Sequence, residues 1–142
     1  MRIKRLAFFI PAMLITACGS SDDSSKNAEA CKTFEAELSE SDFATLNSRF
    51  LENQEFLEGS LEGAEAARAL GAEMETLGIA AKTASSMASG EAKDLFADLS
   101  ISLDDAGIYV ALAGGSVDSL VVSKFDQVLE DTQALEDLCN EF

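Results

Sequence analysis

Val121-Val122-Ser123-Lys124-Phe125-Asp126-Gln127-Val128-Leu129-Glu130-Asp131-Thr132-Gln133-Ala134-Leu135-Glu136-Asp137-Leu138-Cys139-Asn140-Glu141-Phe142 is the stretch on which the fold turns. Val121, Phe125, Val128, Thr132, Leu135, Cys139 and Phe142 follow one another in alternating steps of four and three. That spacing keeps one stripe of a helix turned towards its neighbours, the pattern of helices crossing at a shallow angle. Before it, Gly114-Gly115 breaks the preceding helix and Ser116 is the expected N-cap.

Working backwards, Ala92, Phe96, Leu99, Leu103, Ala106, Val110 and Ala113 repeat the same rule, and so do Leu70, Met74, Leu77, Ala81, Ala84 and Ala88. The segment holding Leu70 carries a second stripe of small residues, Ala64, Gly71, Gly78 and Ser85. An interior glycine weakens a helix by roughly 1 kcal/mol, so these positions suggest either close approach of another backbone or space for a ligand. The first segment is less regular. Cys31, Phe34 and Leu38 fit one stripe, and Phe43, Leu46, Phe50 and Leu57 another. The five-residue step across Ser39-Glu40-Ser41-Asp42 predicts a break or kink near residues 39–42, recapped by Ser41 or Asp42. No proline occurs from Ala28 to Phe142, and turns are expected at Glu58-Gly59-Ser60, Ser89-Gly90 and Gly114-Gly115-Ser116. Short connections make consecutive helices antiparallel neighbours. The expectation is an all-α fold, an antiparallel up-down-up-down four-helix bundle over residues 28–142.

The other end of the chain is of a different kind. Met1-Arg2-Ile3-Lys4-Arg5 is basic, and Leu6 to Ile15 is an apolar run too short for the ~20 residues that span a bilayer. A basic start, a short apolar run and small residues at its end describe a signal peptide. Ile15-Thr16-Ala17-Cys18 resembles the lipobox of bacterial lipoproteins. That resemblance, which covers about the first 20 residues, implies cleavage after residue 17 and acylation of Cys18. It also implies a chain held by lipid on a membrane surface outside the cytoplasm, since two or more acyl chains anchor stably. Gly19, where an aspartate would favour retention at the inner membrane, implies the periplasmic face of the outer membrane in a Gram-negative host. Gly19 to Asn27 contains no apolar residue, so residues 18–27 are expected to form the lipidated end and a flexible tether.

If Cys18 carries lipid, the odd count of three cysteines is resolved and Cys31 and Cys139 remain as a pair. Outside the cytoplasm their oxidation to a disulfide is expected, with two buried thiols as the competing reading. Such a bridge joins the start of the first helix to the end of the fourth, as an up-down-up-down order requires. Two cysteines and no histidine are too few soft ligands for a zinc site.

Composition narrows the function. The chain carries a formal charge of −16, and without Arg2, Lys4 and Arg5 it has 7 basic and 26 acidic residues, so 7 − 26 gives −19. That charge opposes binding to nucleic acid, which needs cations against phosphates. Asp104-Asp105, Glu130-Asp131 and Glu136-Asp137 are the densest acidic steps, but none resembles a calcium loop. With no histidine, Ser-His and Cys-His nucleophile pairs are excluded, and no phosphate-binding or dinucleotide motif occurs. Tyr109 is read as a residue at the edge of the core. No catalytic, cofactor-binding or metal residues are assigned. The expected function is a non-catalytic, membrane-anchored envelope module that binds or scaffolds a protein partner. Carriage of a small apolar ligand between helices and weak divalent-cation binding by the acidic surface are the alternatives.

Overall fold

The computed structural model describes residues 21–52, 60–114, 116 and 118–142. These residues form five helices packed against one another: α1 (Ser21–Glu40), α2 (Phe43–Glu52), α3 (Leu61–Met87), α4 (Gly90–Ala113) and α5 (Ser119–Cys139). The expected signal peptide, Cys18, Gly19, Leu57, the Glu58-Gly59 turn and Gly115 lie outside the described residues.

The α3–α4 hairpin is the centre of the molecule. α5 lies along α4, whereas α1 and α2 lie on α3. The predicted seams become the core. Leu70, Met74, Ala81, Ala84, Phe96, Ala106 and Val110 are fully buried, and Val121, Phe125, Val128 and Leu135 close over them from α5. Phe142 departs from its predicted place. It is 45 % exposed because α5 ends at Cys139 and the pattern runs on past the helix. Leu38 likewise faces largely outward, at the end of α1 beyond the anchoring Ala30 and Phe34.

The helix ends follow local chemistry. α1 begins at Ser21, within the stretch expected to be a tether. Asp22 and Asp23 lie in its first turn, where carboxylates complement the exposed N–H groups and the positive end of the helix dipole. Asn27 adds a tertiary contact, its Oδ1 accepting from the Ser89 backbone N–H at 2.9 Å. The break after Glu40 falls where the sequence places it. Ser41 Oγ donates to Leu38 O, and the Asp42 carbonyl accepts the first bond of α2 from Leu46 N–H. α5 is capped by Asp118 rather than Ser116: the Asp118 carboxylate accepts from Leu120 and Val121 N–H at 3.0 and 2.9 Å. Gly114, left-handed at φ 59°, ends α4, and Ser116 N–H donates back to Ala113 O. The chain therefore needs two further residues before α5 can start.

The small-residue stripe of α3 is used for close approach. A Cβ on Gly71 would stand 2.7 Å from Gly107 O of α4, and a Cβ on Gly107 would stand 2.9 Å from Gly71 O. One heptad further along, Ser100 Oγ donates to Gly78 O at 2.9 Å. A heptad beyond that, Ser85 Oγ donates to Lys93 O at 2.8 Å. Three rungs in register thus tie α3 closely to α4, and the buried hydroxyls of Ser85 and Ser100 find backbone carbonyl partners across the pair. We expect Gly71→Ala to destabilise the fold by about 1–2 kcal/mol, because overpacking against a backbone carbonyl outweighs the gain in helix propensity. Urea unfolding checks the sign; a stabilised variant would mean that the helices separate without cost.

Candidate functional site

Cys31 and Cys139 form a disulfide, with their Cα atoms 5.8 Å apart. Both are partly buried at the rim of the core, beside Leu138. The bridge closes the middle of α1 onto the last turn of α5. The Asn27–Ser89 hydrogen bond places the α3–α4 turn at this same end. The two sequence-predicted site residues that lie in the described region are therefore brought together. The bridge ties the first described helix to the last and acts as a structural clasp.

Two open grooves mark the surface. The first, about 460 Å³, runs along the outer side of the α3–α4 crossing. Its floor is small (Gly71, Ala72, Gly107), and Ile79 and Ile108 stand at its rim, 60 % and 57 % exposed. Arg68, Glu75 and Asp104 supply its charges. Asp104 is held above the usual carboxylate range, first by partial desolvation and then by the neighbouring Glu75 and Asp105, with Lys82 acting in the opposite direction. Ionised Asp104 is thus disfavoured in the fold relative to the unfolded chain. Its unfavourable contribution appears as pH rises through the raised pKa. We expect Asp104→Asn to raise the melting temperature modestly at pH 7, with the gain vanishing near about pH 3, where both forms are neutral. A gain that persists in acid would show that charge is not its origin.

The second groove, about 330 Å³, lies between α4 and α5. Lys124 crosses it, 2.9 Å from the Asp105 carboxylate and 5.1 Å above the Tyr109 ring. The Asp105 hydrogen bond raises the Lys124 pKa, so the lysine stays cationic throughout the physiological range. Tyr109 is 36 % exposed, and its ring face is given to a cation.

The acidic steps do not converge. Asp105 holds Lys124, while Asp131 and Asp137 each accept from a glutamine one turn back on α5, Gln127 and Gln133. Among the described residues no group of three metal-type ligands comes together, and no helix is long and apolar enough to cross a membrane. Sequence reasoning singled out the glycines of α3 but missed Gly107, Ile79 and Ile108, which complete the outer groove. The signal was present in the exposed isoleucines at outward positions of otherwise well-patterned helices. No protein-family model, no curated protein and no solved structure matches this chain.

Proposed function

We propose that the protein is a non-catalytic envelope lipoprotein, anchored through acyl chains on Cys18, that binds or scaffolds through the outer face of its helical domain. The observation that carries the surface part is the α3–α4 groove. Its large apolar side chains point away from a core already filled by the opposite faces of the same helices. Isolated exposed apolar residues mean little, but a groove with an apolar rim and a small-residue floor favours a docked partner. The anchor reading draws support from cysteine pairing. With Cys31 bonded to Cys139, Cys18 at the end of Ile15-Thr16-Ala17 is the thiol left for acylation.

In this reading α1 and α2 serve together as the first limb of an antiparallel four-limbed bundle, with the disulfide joining its first and last limbs. The carrier reading loses its main motive, since Gly71 and Gly78 are occupied by the approach of α4. In a Gram-negative host, Gly19 directs the protein to the periplasmic face of the outer membrane. The deciding experiment is the intact mass of the protein isolated from its native membrane, with and without reduction and alkylation. The expected mass is that of a chain starting at an acylated Cys18, with two thiols alkylated only after reduction. An unacylated chain would sink the anchor.

A further inference from the structure

We propose that the occupant of the α3–α4 groove is a second copy of this chain, paired face to face about a two-fold axis that runs along the helices. This rests on the reading of that groove as a docking surface and names what docks there.

Charge is the first argument. Outside the first five residues the chain has 7 cations against 26 anions, so two copies repel one another over most of their surface. Around the groove the balance differs. Arg68 and Glu75 line it, Asp104 stands opposite, and Lys82 lies close enough to act on Asp104. With Asp105, which also acts on Asp104, that is two cations and three anions, which leaves 5 cations against 23 anions elsewhere in the chain. The groove is thus a face on which a like-charged molecule meets far less repulsion than elsewhere, and where Arg68 and Lys82 of one copy can face carboxylates of the other.

Shape is the second argument. A two-fold parallel to the helices sets α3 of one copy opposite α4 of the other and keeps the same ends together. The Gly71–Gly107 rung fixes the level: Ile108, next to Gly107, stands beside Gly71 and Ala72 within one chain. The rotation therefore carries Ile108 of each copy onto the small-residue floor of the other, a knob into a hole made twice by symmetry. Ile79, one residue past Gly78 of the Gly78–Ser100 rung and more than half exposed in the single chain, extends the contact. Anchoring both copies through Cys18 keeps their like ends at one membrane, which this two-fold satisfies. It also raises their effective concentration, so weak pairing suffices.

The test uses two full-length copies carrying different tags, co-expressed and solubilised from membranes in mild detergent, with one tag captured and the other quantified. The expected result is co-isolation of the second tag. Ile108→Glu and Ala72→Glu should each reduce it at least tenfold, while Leu129→Glu leaves it unchanged. Leu129→Glu adds the same charge at an exposed site on α5. Thermal melts matching the parent confirm that each variant folds. Absence of co-isolation, or equal loss with Leu129→Glu, overturns the pairing. Capture of a different protein that Ile108→Glu releases also overturns it, while leaving the α3–α4 face as a docking surface. Co-isolation from the soluble fraction, with an unacylated mass, supports the pair and removes the anchor.

Discussion

Replacing both Cys31 and Cys139 with serine lowers the free energy of unfolding by about 4–5 kcal/mol, the largest loss expected from any change in this chain. The bridge spans 108 residues of sequence, and closing a loop of about that size removes this much freedom from the unfolded chain. The loss is expected to fall on α1 first. Beyond the bridge, α1 is held by the burial of Ala30 and Phe34 and by the Asn27–Ser89 hydrogen bond, while most of its other side chains face water. Guanidinium unfolding of the double variant, beside the reduced parent, checks the size. Hydrogen exchange checks the place: amides of α1 should lose protection before those of α3 and α4. A double variant as stable as the oxidised parent would show that the clasp is ornamental to the fold.

Phe96→Ala is the second large effect, at about 3–5 kcal/mol. Phe96 is fully buried on α4 and meets the Phe34 ring of α1 edge to face, with centroids 5.7 Å apart and planes at 69°. Truncation leaves a cavity between layers that are fixed independently, on one side by the three α3–α4 rungs and on the other by the disulfide. Neither side can collapse freely into the gap, which places the cost near the top of the usual range. A double-mutant cycle with Phe34→Ala should return a coupling of about 0.5–1.5 kcal/mol beyond additivity. Additive effects would mean that the two rings touch without cooperating.

How much of this was legible in the sequence depends on whether one helix or two were needed to see it. The seams from Ala92 to Val110 and from Leu70 to Ala88 declare themselves by spacing, and the structure buries those positions. The break after Glu40 was equally readable, since a five-residue step cannot stay on one helical face. Gly107 was not readable. Its role exists only opposite Gly71, and periodicity within one helix carries no information about which neighbour comes close. The choice of Asp118 over Ser116 turns on how many residues the chain spends leaving the left-handed Gly114, since both types cap well. The start of α1 was misjudged because lack of apolar residues argues only against burial. Asp22 and Asp23 favour a helix N-terminus through charge, a separate force that hydropathy does not register.

Because the α3–α4 rungs recur at the same interval on both helices, a slide of one heptad would set Gly71 against Ser100 and Gly78 against Lys93. Two small-residue approaches would re-form out of three. The rungs alone therefore separate the two alignments by a single contact. The connection does. Ala88 and Ser89 alone join the helices, and a one-heptad slide is a displacement of about 10 Å. Two residues reach about 7 Å when fully extended, and Ser89 is already pinned by Asn27. The turn therefore acts as an index stop: it adds little binding energy of its own, yet it bars the slid alignment that the ladder disfavours by only one rung.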